Sequence, residues 1–214
     1  MGAVEKISST LPPVAERGAD AERRALIVDR AERVFLEEGF AGSSMAAIAA
    51  RSGCSKGTLY NYFVSKEELF LACVAKQCTA LHEAMSELAS SSADLPETLT
   101  QLGRKYVAFV SSDDTVRRFR VIVSEAERAP EMSRAFYANG PAQGHAKLAA
   151  YIETAAREGK LNVTDPLRAA QHFLALCDRR SKARLCNVLP TPGEASLEED
   201  VSEAVRIFLA AYGR

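Results

Sequence analysis

Residues 43–66, SSMAAIAARSGCSKGTLYNYFVSK, constrain the fold of this chain more than any other stretch. Apolar residues recur at one-turn spacing within residues 45–49, and a serine before them can cap the exposed backbone amides of a short helix. Gly53 lies at the centre of the following turn, where a positive φ lets the chain reverse direction within a few residues. Ser55 can then cap a second helix. The pattern predicts a helix-turn-helix over residues 43–63.

The second of these helices is predicted to present polar groups and rings to solvent. Leu59 and Phe63 are four positions apart, so they share one face and turn inward. No Asp or Glu lies between Glu38 and Glu67, so a polyanion would meet no carboxylate from this segment. The residues left on the outward side are Lys56, Gly57, Thr58, Tyr60, Asn61 and Tyr62.

Residues 27–74, with GTLYNYFVSKEELF at their centre, resemble the N-terminal DNA-binding domain of the tetracycline-repressor (TetR) family. The resemblance includes the Gly39-Phe40 corner before the helix-turn-helix and a Tyr-x-x-Phe-x-x-Lys spacing after it. It implies a three-helix unit that enters the major groove and an all-helical C-terminal domain that dimerises and binds a small molecule. Residues 119–140, FRVIVSEAERAPEMSRAFYANG, resemble the C-terminal domain of an AcrR-like branch of the same family.

Length and composition predict a globular protein with proper cores, because 47% of the 214 residues are hydrophobic. No apolar run approaches the roughly 20 residues of a membrane span, and the N-terminus lacks the apolar segment of a secretory signal, so we expect a cytoplasmic protein. The formal net charge is -1, so any attraction to nucleic acid must be local. Five cysteines without a C-x-x-C pair favour reduced thiols, and we expect neither a metal nor a cofactor.

We predict an all-α fold, since no alternating stretch is long enough for a sheet. Residues 1–18 contain two adjacent prolines and no sustained helical period, so we expect a disordered arm. Residues 19–80 are expected to form the helix-turn-helix DNA-binding domain, and residues 81–214 a helical ligand-binding and dimerisation domain. Gly39 should end the first helix in a left-handed conformation.

The side-chain chemistry and the resemblance together assign roles in DNA binding. Lys66 begins a long helix, where a cation opposes the helix dipole unless an anion binds there, and in the resembled family the matching lysine contacts the DNA backbone. Tyr60 is also assigned to phosphate, and Lys56 and Asn61 to base edges or backbone. The predicted DNA-binding residues are Ser44, Arg51, Ser55, Lys56, Gly57, Thr58, Tyr60, Asn61, Tyr62 and Lys66.

Four of these assignments are less direct. Ser44 and Thr58 are expected to reach phosphates through their hydroxyls or nearby amides. Gly57 either lets the helix approach the groove closely or is a neutral surface glycine that costs about 1 kcal/mol of helix propensity. Tyr62 could contact either a phosphate or a base edge, so its role is ambiguous.

A regulator of this kind needs a place where a small molecule changes the spacing of its DNA-binding units, and an apolar cavity between helices is the usual solution. Aromatic residues at helical spacing in the C-terminal half are candidates to line such a cavity, although residues of this type fill cores more often. The candidate ligand-binding residues are Phe109, Phe119, Ile122, Phe136, Tyr137, His145 and Phe173.

The last two predicted helices carry more apolar residues than packing within one protomer requires, which predicts a homodimer. In the resembled family two such helices from each subunit form a four-helix bundle. A two-fold dimer presents two recognition helices about 34 Å apart along the duplex, or a multiple of that distance, so a palindromic operator follows. The candidate interface residues are Leu167, Phe173, Leu174, Val201, Val205, Phe208, Leu209 and Tyr212.

The sequence therefore predicts a homodimeric transcriptional regulator, a repressor that an unidentified small-molecule effector releases from double-stranded DNA. Two alternatives stay open: an all-helical enzyme acting on small molecules, and an interaction module that has lost DNA binding. His82, His145 and His172 lack a Glu-x-x-His or His-x-x-x-His partner, and the sequence has no nucleophile elbow or phosphate-binding glycine loop, which disfavours the enzyme. The basic helix-turn-helix disfavours the interaction module.

Overall fold

The structure is a computed structural model that describes residues 18–89 and 94–214. The described residues form helices and no strand, which confirms the all-α prediction, and the predicted arm lies outside them except for Gly18. No helix within these residues is both long and apolar enough to span a lipid bilayer. The helices are α1 (Gly18–Gly42), α2 (Met45–Arg51), α3 (Lys56–Tyr62), α4 (Lys66–Ala89), α5 (Leu95–Ser111), α6 (Asp113–Glu125), α7 (Pro130–Asn139), α8 (Pro141–Arg157), α9 (Pro166–Cys177), α10 (Ser181–Leu185) and α11 (Glu194–Tyr212).

Two glycines at positive φ shape the helix-turn-helix and its approach. Gly39 has φ 74°, so α1 bends there, and the chain continues helically to Gly42. The bend returns Phe40 onto Phe35, with their ring centroids 5.8 Å apart. Gly53 has φ 66° in the turn between α2 and α3. Both positions need a residue that tolerates the left-handed region, as the sequence predicted.

Serine hydroxyls cap the two short helices. The Ser44 hydroxyl oxygen accepts a hydrogen bond from the Ala47 amide at 3.2 Å, at the start of α2. The Ser55 hydroxyl oxygen accepts one from the Thr58 amide at 3.0 Å, at the start of α3. Each cap satisfies an amide that has no partner within its own helix.

One apolar core holds α1 to α4 together. Ile48 of α2 and Leu59 of α3 are fully buried, and they pack with residues of α1 and α4. Ile122 of α6 and Met132 of α7 belong to the same core, so the N-terminal helices are packed directly against the C-terminal ones. The predicted domain boundary between residues 80 and 81 falls inside α4, which runs without a break from Lys66 to Ala89.

A second core lies among α5, α8, α9 and α11, and it holds five of the residues predicted for the dimer interface. Each of the five is at most 7% exposed within one protomer. The structure contradicts the interface assignment for these residues, because helices of the same protomer already cover their apolar surfaces. They are Phe173, Leu174, Val201, Val205 and Phe208.

The chain between α9 and α11 contains one further short helix. Residues 181–185 form the short helix α10, for which the sequence carries no clear capping signal. Helix α11 begins at Glu194, because Gly193 takes the extended N-cap conformation. Arg120 of α6 holds α10 in place by donating hydrogen bonds to the carbonyls of Arg184 (2.8 Å) and Leu185 (3.0 Å).

Candidate nucleic-acid interface and internal cavity

Most of the predicted DNA-binding residues lie on the solvent side of α2, α3 and the turn between them. Seven of the ten are exposed, namely Ser44, Arg51, Ser55, Lys56, Gly57, Tyr60 and Asn61, and Thr58, Tyr62 and Lys66 are half-buried. The inward side of both helices is buried in the first core. The helix-turn-helix therefore presents a polar face on a buried apolar base.

The first turn of α3 gathers a cation, two hydroxyls and a ring. The Lys56 ammonium lies 5.8 Å from the centroid of the Tyr60 ring, whose residue is 42% exposed. The hydroxyl oxygens of Ser55 and Thr58 lie 2.8 Å apart. These groups are the kind that contact phosphates and base edges, and they lie at the exposed N-terminal end of a helix.

Arg51 has carboxylate partners that the sequence pattern did not reveal. Its guanidinium forms an ion pair with Glu37 and a second one with Glu38, the latter at 3.2 Å. The hydrogen bond that the Arg51 guanidinium donates to the Glu37 carboxylate raises the pKa of Arg51 above its usual value. The segment is free of acids in sequence, but the last turns of α1 bring two acids to its edge.

Lys66 is turned toward the protein interior in this structure. Its ammonium donates hydrogen bonds to the carbonyl oxygens of Phe40 (2.6 Å) and Ser43 (3.1 Å), and it lies 4.3 Å from the centroid of the Phe40 ring. Lys66 thus ties the start of α4 to the last turn of α1 and to Ser43 just after it, a role that the sequence did not predict. The phosphate contact of Lys66 stays a prediction.

Tyr62 and Arg24 link the helix-turn-helix to α1. The Tyr62 hydroxyl lies 3.4 Å from a carboxylate oxygen of Asp20, and the Arg24 guanidinium lies 4.7 Å above the Phe63 ring. The ambiguous Tyr62 therefore has a partner within the protomer.

The C-terminal helices enclose a cavity of about 540 Å³. Its walls come from α4 to α10, and six of the seven candidate ligand residues line it: Phe109, Phe119, Ile122, Phe136, Tyr137 and His145. Phe173 does not line this cavity. It is fully buried in the second core, where its ring meets the edge of Phe208 at a centroid distance of 5.3 Å. The assignment of Phe173 to the cavity is therefore wrong.

The cavity also has polar lining residues that the sequence analysis did not identify. Only Gln77 and His82 share a helix, α4, and the others lie far apart in the sequence, so no local motif marks them. The most prominent are Gln77, His82, Tyr106, Arg118, Ser133 and Asp178. The Ser133 hydroxyl is buried without a hydrogen-bond partner among the described residues, so it is available to a ligand.

Burial shifts the titration of several lining groups. Desolvation lowers the pKa of His82, with a further contribution from the charge of Lys147, and desolvation also lowers the pKa of His145. Desolvation raises the pKa of Tyr106 and of Asp178 above their usual values. Both imidazoles are consequently neutral near pH 7.

The lowered pKa of His82 should make the protein less stable in mild acid. The unfolded chain regains the ordinary histidine pKa of 6.5, so it binds more protons than the folded chain below that pH. The free energy of unfolding, measured in urea, should therefore decline as the pH falls from about 7.5 to about 5.5. The decline should be smaller in His82→Gln, and parallel pH curves for the two proteins would contradict this expectation.

Arg118 connects the cavity to α1. It lines the cavity, and it also lines a crevice of about 190 Å³ between α1 and α6. Its guanidinium donates a hydrogen bond at 2.5 Å to the Glu32 carboxylate, which also accepts one from Gln77 at 2.8 Å. The side chains of Arg118 and Glu32 are only 12% and 13% exposed.

Two family models match this chain. The model described as "Bacterial regulatory proteins, tetR family" matches residues 27–73. The model described as "AefR-like transcriptional repressor, C-terminal domain" matches residues 97–214, more than half of the chain. The second match gives the C-terminal half an AefR-like relationship, beside the AcrR-like resemblance noted in the sequence.

Curated relatives match part of the chain. The HTH-type transcriptional regulator BetI of Rhizobium meliloti is 30% identical over 118 residues, which are 55% of this chain and 58% of BetI. The HTH-type transcriptional activator FasR of Mycolicibacterium smegmatis is 30% identical over 92 residues, which are 43% of this chain and 42% of FasR. The chain thus spans about half the length of these curated relatives.

Solved structures match nearly the whole chain. A protein of Mesorhizobium loti MAFF303099, assigned to the TetR-family transcriptional regulators, has a TM-score of 0.85 at 27% identity, over 93% of this chain and 100% of that one. The flavonoid-responsive regulator FrrA has a TM-score of 0.74 at 31% identity, over 90% of this chain and 98% of that one.

Proposed function

The chain belongs to the tetR family of bacterial regulatory proteins, and from that membership we propose a homodimeric repressor that binds a palindromic operator and leaves it when a small molecule enters the cavity. Members of the family are transcriptional regulators and not enzymes. The observation that carries the proposal is the exposed, capped helix α3 on a buried apolar base.

DNA binding is proposed for the exposed side of α2 and α3. The short helix α3 offers few contacts on its own, so two copies related by symmetry are needed for useful affinity. Lys56, Tyr60 and Asn61 project from α3 at its exposed positions. We assign Lys56 and Tyr60 to phosphates, and Asn61 to base edges, where an amide can read adenine.

Dimerisation is proposed through the outer faces of α9 and α11, since their inner faces form the second core. Leu167 is 47% exposed on α9, and Leu209 and Tyr212 are half-buried on α11. Tyr212 also holds the two helices together through a contact of 2.6 Å between its hydroxyl and His172 Nδ1. Sedimentation of the purified protein should give a dimer, and a monomer at micromolar concentration would contradict the proposal.

Effector binding is proposed for the cavity. Its volume of about 540 Å³ lies within the range of roughly 300–1,000 Å³ typical of small-molecule sites. Phe109, Phe119 and Phe136 supply flat apolar walls, and the rings of Phe119 and Phe136 lie 5.6 Å apart. The name of FrrA states that it responds to flavonoids, which supports an aromatic ligand here.

Lys56→Ala should weaken binding to every DNA fragment and reduce the slope of log affinity against log salt by about one, because one phosphate contact is lost. Fluorescence anisotropy with the DNA upstream of its own gene, at several salt concentrations, measures both quantities. Lys105→Ala is the matched control, since Lys105 is exposed on α5, outside the helix-turn-helix.

The outcome also tests the assignment of Lys56. If the salt slope is unchanged and affinity is lost only for operators with one particular base at one position, Lys56 contacts a base edge and not a phosphate. A wild-type protein with no salt-sensitive DNA binding would contradict the proposed function itself.

Transcription in vitro from the bound promoter should fall when protein is added, and a rise would contradict repression.

A further inference from the structure

We propose that the effector is an amphiphile with an aromatic or apolar body and an acidic head, and that Arg118 binds the head by exchanging Glu32 for it. This inference rests on the proposed function, because it assigns a chemical class to the proposed effector. It also identifies the contact through which the occupied cavity would act on α1.

The lining of the cavity favours a ligand with one negative charge. Among the described lining residues Arg118 is the single lysine or arginine. A guanidinium has five N–H donors and stays protonated at any ordinary pH, and within the described chain Arg118 makes a single hydrogen bond, to Glu32. It is therefore a permanent cation with donors left for an acid that enters the cavity.

The other ionisable groups in the lining do not compete for this role. His82 and His145 are desolvated and neutral near pH 7. Asp178 already accepts a hydrogen bond from the Ser181 hydroxyl, and burial disfavours its charged form. A cationic ligand would meet the fixed charge of Arg118, whereas an acid would pair with it in surroundings that screen charge weakly.

Glu32 is positioned to be displaced without being left unpartnered. It retains the hydrogen bond from Gln77 at 2.8 Å and an ion pair with Lys76 at 3.9 Å, and both partners belong to α4. Arg118 is its partner from α6. An exchange at Arg118 therefore breaks the ion pair between α1 and α6, while Glu32 stays attached to α4.

Two fluorescent dyes of matched shape test the charge preference. 8-Anilinonaphthalene-1-sulfonate is anionic, N-phenyl-1-naphthylamine has the same aromatic body without the sulfonate, and both brighten in an apolar site. The wild-type protein should bind the sulfonate dye at least about tenfold more tightly than the neutral dye, as one buried charge-assisted contact allows. Dissociation constants come from fluorescence titration of the full chain without DNA.

Three variants test whether the preference for the sulfonate dye depends on Arg118. Arg118→Gln should bring the ratio of the two dissociation constants to about one, with the neutral dye unaffected. Arg117→Gln is the matched control, because Arg117 is exposed on the same helix and pairs with Asp114, and it should keep the wild-type ratio. Glu32→Gln should tighten binding of the sulfonate dye by about threefold or more, because the competing carboxylate is gone.

The outcomes separate this inference from the proposed function. If the neutral dye binds and Arg118→Gln keeps the tenfold ratio of dissociation constants, Arg118 does not bind the acidic head. The cavity would then still be a ligand site. If neither dye binds the wild-type protein, both the inference and the proposed effector site fall. Should Arg118→Gln fail to fold, an unchanged affinity of Glu32→Gln for the sulfonate dye overturns the inference on its own.

Discussion

Phe70→Ala is expected to lower the free energy of unfolding by about 3–5 kcal/mol and to weaken DNA binding with it. Phe70 is 2% exposed, and its ring meets the edges of Phe35 and Phe40 at centroid distances of 5.3 and 5.2 Å. The substitution leaves a cavity at the point where α1, its bend and α4 meet. Marginal domains have only about 5–15 kcal/mol in total, so the loss is severe.

Urea denaturation followed by circular dichroism measures this loss, and Val64→Ala is its control. Val64 lies six residues earlier and is 78% exposed, so its truncation should change the stability by less than about 0.5 kcal/mol. A loss of under about 1 kcal/mol for Phe70→Ala would mean that the three rings do not form the tight cluster described above.

Lys66→Met is expected to destabilise the protein by about 2 kcal/mol, even when no DNA is present. Methionine keeps the length of the side chain but removes the donors, so the carbonyls of Phe40 and Ser43 lose the ammonium that bonds them at 2.6 and 3.1 Å. These two carbonyls lie just before α2, and their release should loosen the whole helix-turn-helix. Binding to all DNA fragments should weaken in parallel.

The same variant separates two roles of Lys66. A residue that only contacts phosphate would leave the urea midpoint unchanged and would lower the salt slope by about one. A residue that only holds the chain before α2 would lower the midpoint and leave the slope unchanged. Lys105→Met, on the exposed side of α5, serves as the control for removing a lysine.

The sequence predicted the helix-turn-helix well because its signals act over a few residues. Ser44 and Ser55 cap amides three positions ahead, and Gly39 and Gly53 adopt the positive φ values that their positions in the pattern require. Leu59 and Phe63 are buried as their four-residue spacing indicated. Such local rules do not depend on how the rest of the chain folds.

The parts that the sequence did not reveal depend on contacts between distant segments. Arg118 pairs with Glu32 across 86 positions, and Lys66 bonds Phe40 across 26. No local pattern indicates which acid or carbonyl will face a given cation. The apolar periodicity of α9 and α11 likewise indicated that Phe173 and Phe208 are buried, which they are. It did not indicate that helices of the same protomer, and not of a partner, bury them.

The length of α4 determines how far a small movement at the cavity would displace the helix-turn-helix. At 24 residues the helix is about 36 Å long, with Lys66 at its first residue and His82 and Met85 against the cavity near its other end. A tilt of only about 5° around the cavity end would displace the first turn by about 3 Å, as far as a hydrogen bond reaches. In the proposed two-fold dimer the displacements would add, so a rotation too small to disturb the packing of the cavity walls would misalign the two recognition helices on a rigid duplex.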